Sequence, residues 1–352
     1  DERFREALAL ARRVGDARGA GWALQHLAWA ATTRGDYKQA EEVLADAAAV
    51  FAALDDIGGI AWCSGTEGFV RVLQGRLTEA RELIQALLPA SETFDDTWAT
   101  AACLTIDALA AAELGELTHA AADAVRAEQL FSSLQDTWGT ALALIAHGMA
   151  ARGGGHTARA IELLTHAESI AAEARLPMNR ALAATVLGYT LLEAGDVDSA
   201  AGAATRAAAA LDGLDLEPAA STGVRVLHAQ VSRARGDLAG ARAELEACVA
   251  LFDDDTLFFP RRQGLAHLAG VLVELGDGDA ALGAAERALA VPAEDVRSQV
   301  LALRALGSAK RLLGDVAGAR HCYAEALAVA TSTEQCSEVA ATERAIAALS
   351  GA

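Results

Sequence analysis

Proline, aromatic rings and strand-forming runs are all scarce in this chain of 352 residues. Only 5 prolines interrupt it, so its backbone N–H groups remain available for long helices. Much of the 53% hydrophobic content is alanine, the best helix former. Alternating runs of valine, isoleucine and threonine are missing, which excludes a sheet architecture. No stretch of 18 residues escapes polar interruption, which excludes a membrane span. Basic residues are outnumbered, 29 against 48 acidic, for a net charge of −19. That field repels a polyanion, and no dense basic patch offsets it, so direct nucleic-acid binding is excluded. The acidic residues are scattered over loops and helix starts, as on a solvated surface.

The five cysteines (Cys63, Cys103, Cys248, Cys322 and Cys336) form no CxxC pair. The opening residues DERFRE are charged and carry no secretory signal pattern. Both features predict a cytoplasmic protein in a reducing compartment. Catalytic signatures are absent as well. There is no P-loop, GxSxG, HExxH or dinucleotide fingerprint, and the eight histidines lack ligand spacing. The run Asp253-Asp254-Asp255-Thr256 lacks the alternating ligands and distal Glu of a calcium loop, and reads as a helix-capping turn. Phe258-Phe259-Pro260 reads as a buried hinge. The expectation is a binding protein, not an enzyme, with no cofactor and no metal.

What the chain does have is a repeat. A glycine followed five residues later by alanine recurs at Gly35, Gly75, Gly115, Gly155, Gly195, Gly236, Gly276 and Gly314. The spacings are 40, 40, 40, 40, 41, 40 and 38. Glycine tolerates the left-handed backbone that ends a helix sharply. Aspartate follows it at positions 36, 196, 237, 277 and 315, ready to cap the next helix. Apolar residues then recur in steps of three and four, as in Ala40, Leu44, Ala47, Phe51 and Leu54. Each unit is therefore a helical hairpin.

Helix, Gly-Asp turn, alanine five on, helix: this pattern resembles the tetratricopeptide repeat over nearly the whole chain. The usual period is about 34 residues. The six extra residues lengthen the helices by roughly 9 Å in all. The 40-residue form is similar to the repeat arrays of bacterial LuxR-type and SARP-type regulators, STAND ATPases and some adenylate cyclases. The phrases Ala9-Leu10-Ala11-Arg12-Arg13-Val14-Gly15-Asp16 and Gly59-Ile60-Ala61-Trp62 carry that narrower resemblance. The fold expected is all-α, a right-handed superhelical solenoid. Residues 1–14 align with the second helix of a repeat, residues 15–333 hold eight repeats, and residues 334–352 form a capping helix. A lone second helix at the start suggests a fragment of a longer parent chain.

The resemblance implies that the first helix of each hairpin lines a concave groove. Aligned on their glycines, the inward positions include Trp22, Gln25, Trp29, Trp62, Phe69, Met149, Arg152, Tyr189, Arg233, Arg304 and Arg311. Aromatic anchors in a groove suit a partner. The same spacing also fits rings that simply pack between adjacent repeats. A second set stands where other repeats carry a core leucine: Glu67, Asp107, His147 and His228. These could form a polar ladder, with Arg71 pairing to Glu67 four residues away. Slipped registers or a structural polar network explain them equally well.

The function expected is the binding of a protein, a peptide or a small effector, within a larger bacterial signalling or transcriptional regulator. Output domains of the same parent chain are the second expected partner. The alternative is a static adaptor that scaffolds other proteins.

Overall fold

A computed structural model describes residues 2–251 and 258–350. The run 253–256 therefore lies outside the described residues. Eighteen α-helices and one short 3-10 turn, and no strand, occur among the described residues. The first helix, α1 (Glu2–Val14), is followed by eight hairpins. They are α2 (Ala17–Arg34) with α3 (Tyr37–Ala53), α4 (Ile57–Gln74) with α5 (Leu77–Thr93), and α6 (Thr97–Leu114) with α7 (Leu117–Ser133). Next come α8 (Thr137–Gly153) with α9 (Thr157–Glu173), α10 (Pro177–Glu193) with α11 (Val197–Leu211), and α12 (Thr222–Ala234) with α13 (Leu238–Ala250). The last two are α14 (Phe258–Glu274) with α15 (Gly278–Ala290), and α16 (Val296–Leu312) with α17 (Val316–Ser332), followed by α18 (Cys336–Ser350).

The turns inside each hairpin use the repeated glycine. Gly35, Gly75, Gly115, Gly155 and their counterparts have φ between 78° and 86°. The following aspartate caps the outer helix: Asp36 accepts from the Gln39 N–H at 3.0 Å and Asp237 from the Gly240 N–H at 2.9 Å. The returning turns use non-glycine residues in the same left-handed region, among them Asp55, Asp95, Gln135 and Arg175.

Even-numbered helices form an inner layer and odd-numbered helices an outer one. The outer helix α3 buries one stripe, Ala40, Leu44, Ala47 and Phe51. The inner helix α6 is buried almost continuously from Thr100 to Ala112, because it meets the outer layer on one side and its inner neighbours on the other. The largest apolar cluster runs from Leu142 to Ala309 without a break into separate domains. The result is a right-handed superhelical solenoid of tetratricopeptide-like hairpins.

The superhelix is tight enough that its turns touch. Helix α4 meets α14, α6 meets α16, and α8 meets α18. Each pair is ten helices apart, so about five hairpins complete one turn. The touching edges are specific. The Glu217 N–H donates to the Arg34 carbonyl at 2.8 Å, and the Thr78 N–H donates to Glu294 Oε2 at 2.6 Å. Gly115 abuts Thr333 so closely that a Cβ there would come within 2.6 Å of its side chain.

Candidate binding channel

Inner helices line the concave face, and the first four hairpins place indoles there. Trp22, Trp29, Trp62, Trp98 and Trp138 all line a single cavity of about 930 Å³. They are the chain's only tryptophans. The rings touch in series. Trp22 meets Trp62 at 6.2 Å, Trp62 meets Trp98 at 4.8 Å, and Trp98 meets Trp138 at 6.2 Å. Trp29 closes the circuit, 5.5 Å from Trp138 and 5.6 Å from Phe69. Repeat one thus reaches repeat four across the concave face. Two polar links hold the wall: Gln25 Nε2 donates to Thr66 Oγ1 at 3.0 Å, and Trp98 Nε1 donates to Asp136 Oδ2 at 2.6 Å. Trp22 also packs on Phe51 at 5.0 Å, so one ring serves both the core and the cavity.

Gly65 opens the space. It lines the cavity, and a Cβ built there meets no atom within 4 Å. At the rim, Ile57, Phe94 and Trp62 are 77%, 79% and 40% exposed. Exposed apolar patches of this kind are the usual mark of interaction surfaces.

Further along, the concave face turns from apolar to charged. Arg152 lies 5.2 Å from the Tyr189 ring centroid, and Tyr189 stacks on His267 at 6.3 Å. Glu193 accepts from Arg152 Nε at 3.0 Å and from Arg297 Nη2 at 2.5 Å. Arg297 also reaches Glu338 at 3.1 Å, and Arg304 reaches Glu338 at 2.6 Å. Arg233 donates to Glu274 through Nε at 2.9 Å. Burial and four surrounding guanidiniums hold the His267 imidazole down to about 3, so it is neutral at physiological pH. Burial, with Asp295 adding to it, pushes the Glu113 carboxyl up to about 7 against the pull of Arg152 and Arg297. Burial would also raise Glu193, but Arg152 and Arg297 outweigh it and hold that carboxyl below its ordinary range.

The structure therefore brings Trp22, Gln25, Trp29, Trp62 and Phe69 together around one cavity, and Arg152, Tyr189, Arg233 and Arg304 into the charged stretch. Two other residues do not line that cavity. Met149 packs between repeats against Leu109 and Ala150, since its flexible side chain fills a gap in the inner layer. Arg311 is exposed at the last turn of α16.

The polar ladder is a correction. Glu67 and Asp107 are held by separate arginines, Arg71 and Arg81, and not by one another. Arg71 bridges Glu67 at 2.7 Å and also contacts Glu41 on α3. Asp107 accepts from Arg81 Nε at 3.0 Å and pairs with His119 at 2.5 Å. The His147 Nδ1 is buried without a hydrogen-bond partner. Asp107, His119 and Asp123 are the described residues whose ligand atoms lie close enough to hold a metal ion, and the Arg81 guanidinium already sits 3.0 Å from Asp107 there.

Sequence reasoning did not place Trp98, Trp138 and Arg297 in the site. Trp98 and Trp138 share one repeat position near the start of their inner helices, which was the available signal. Arg297 gave none, because its partner Glu193 is 104 residues away.

No protein-family model matches the chain, and no curated protein matches it. Solved structures do. The crystal structure of a Rap protein complexed with competence and sporulation factor is similar at a TM-score of 0.65 and 14% identity, over 95% of this chain and 98% of that one. NprR in complex with its cognate peptide NprX is similar at 0.60 and 9% identity, over 93% of this chain and 96% of that one. The apo form of RapI is similar at 0.54 and 11% identity, over 78% of this chain and 98% of that one. At these identities the likeness is one of fold: a tetratricopeptide-like helical array.

Proposed function

We propose that the chain is a peptide-binding sensor array whose concave channel grips an apolar segment in the tryptophan-lined cavity. The observation that carries this reading is the convergence of all five tryptophans on one cavity of about 930 Å³. Specific small-ligand sites span roughly 300–1,000 Å³ and are mostly apolar with a few placed polar groups. This cavity sits at the upper end of that range, enough for several side chains of an extended segment. Two proteins of similar fold over 93% or more of this chain are seen with bound partners, one of them a cognate peptide. The charged stretch beyond the cavity would meet the polar remainder of the segment.

The finer reading is that the array belongs to a larger regulator, with output domains elsewhere in the parent chain. Binding would favour one superhelical arrangement over another through differential affinity. The contacts between superhelical turns are the ones such a shift would make or break.

Panning a displayed random-peptide library against the chain tests the reading. Recovered peptides are synthesised and titrated by intrinsic tryptophan fluorescence, which reports on this cavity alone. Truncating an anchor typically loses about 2 kcal/mol or more, so Trp29→Ala and Trp62→Ala weaken binding more than tenfold with helicity retained. If these variants lose stability but not affinity, the rings are core and the reading is wrong.

A further inference from the structure

We propose that the tryptophan-lined cavity selects an organic cation: an apolar body carrying a positive charge. The inference rests on the reading of the concave face as a binding channel, and adds the chemical class of what enters it.

The argument starts from the charges. Among the described residues lining the cavity, none is lysine or arginine. Two are carboxylates, Asp96 and Asp136, each at the start of an inner helix. Asp136 is engaged through both oxygens, by the Gly139 N–H at 3.0 Å and by Trp98 Nε1 at 2.6 Å. Neither donor belongs to a cationic side chain, so no arginine or lysine is paired with it, and only the α8 N-terminus that it caps offsets its charge in part. Asp96 accepts from the Ala99 N–H at 2.9 Å through Oδ1 and is exposed. Arg18, beside the Ile57 rim, is held by Asp56 at 2.7 Å. His26 also lines the cavity, and its Nδ1–H donates to the Trp22 carbonyl at 3.0 Å.

The rings point the same way. An indole face carries the negative end of the ring quadrupole and attracts cations. Trp62, Trp98 and Trp138 are nearly parallel, with interplanar angles of 19° and 14°. With carbon faces in contact at about 3.5–4.0 Å, the 6.2 Å centroid separation of Trp98 and Trp138 means a sideways displacement of about 5 Å. That displacement leaves part of the Trp98 and Trp138 faces uncovered, while Trp62, the other neighbour of Trp98, stacks on it at 4.8 Å. Trp62 is 40% exposed at the mouth. A desolvated cation beside these faces, with two carboxylates on the wall, is favoured. An anion of the same shape meets both carboxylates without a compensating base.

The test uses a pair of ions with one shape and opposite charge. Tetraphenylphosphonium, tetraphenylborate and the neutral N-phenyl-1-naphthylamine are titrated into the full chain, with tryptophan fluorescence and calorimetry as readouts. The phosphonium binds at least tenfold tighter than the borate. Trp62→Ala and Trp98→Ala each weaken the phosphonium by tenfold or more. Asp96→Asn, which retains a capping side chain, weakens the phosphonium severalfold and leaves the neutral probe unchanged. Equal binding of all three probes, or tighter binding of the borate, overturns the cation preference and leaves the channel standing. Failure of all three to bind overturns the channel together with its selectivity.

Discussion

The Thr78 N–H donates to the carboxylate of Glu294, 2.6 Å away and one superhelical turn further along the chain. Thr78 lies at the second position of α5, where backbone N–H groups lack helical partners. The residue before that helix, Arg76, makes no side-chain cap. The relationship recurs one repeat later: Glu116 does not cap α7, and Thr118 Oγ1 reaches Glu334 at 3.4 Å. Carboxylates of the second turn thus sit over helix starts of the first, where the helix dipole favours them.

Glu294→Ala is expected to lower stability by about 1 kcal/mol, the usual value of a lost cap. It should also enlarge the radius of gyration in small-angle scattering, because the contact joins two turns. Adding Arg76→Asp restores a local cap and with it the stability, but not the compactness. Full recovery of both would show that Glu294 caps without clamping.

Glu113 should make the array less stable at alkaline pH. Its carboxyl rises from an ordinary 4.5 to about 7, burial first and Asp295 second. A raised folded-state value means that the favourable contribution is complete below about 4.5 and is lost as pH climbs to about 7. Glu113→Gln therefore raises the melting temperature at pH 8 and leaves it nearly unchanged at pH 4.5. The gain is on the order of 1 kcal/mol, because the side chain is half-buried and water screens it in part. Asp295 rises to about 6 and leaves a residual slope in the variant. Equal melting shifts at both pH values would contradict the assignment.

Glu193 works in the opposite direction. Burial alone would raise its carboxyl, but Arg152 and Arg297 hold it below the ordinary range. A lowered value means stability that is present above the unfolded-state value and lost as pH falls through the folded one. Charged hydrogen bonds of this kind are worth about 1.5–3 kcal/mol. Glu193→Gln should lose about that much at pH 7 and flatten the acid limb of the stability curve. An acid limb that coincides with that of the unmodified chain would refute it.

Much of this fold was legible in the sequence because its rule is local. The glycine positions, the Asp caps and the steps of three and four all operate within one hairpin. So did the inward position shared by Trp22 and Trp62. The shared repeat position of Glu67, Asp107 and His147 did not show their partners: Glu67 pairs with Arg71 on its own helix, and Asp107 with Arg81 and His119 on the outer helices either side. Contacts between turns were out of reach for another reason. Superhelical pitch follows from small rotations summed over five hairpins, and no single residue records it.

Gly65 offers the cleanest way to close the cavity without disturbing what surrounds it. It lies inside α4, where glycine costs about 1 kcal/mol relative to alanine. Its neighbour along the same helix, Gly68, has a packing reason: a Cβ there would press on Ile84 at 2.8 Å. Gly65 has none, since nothing lies within 4 Å of the position a Cβ would take. The space in front of it is the cavity itself. Gly65→Ala should therefore stabilise the chain by about 1 kcal/mol, read as a higher denaturant midpoint at unchanged slope. Gly65→Leu should keep the helicity and fill the tryptophan-lined space, so that peptides and tetraphenylphosphonium alike lose at least tenfold in affinity. A Gly65→Leu chain that binds as tightly as the original would place the binding site elsewhere on the superhelix.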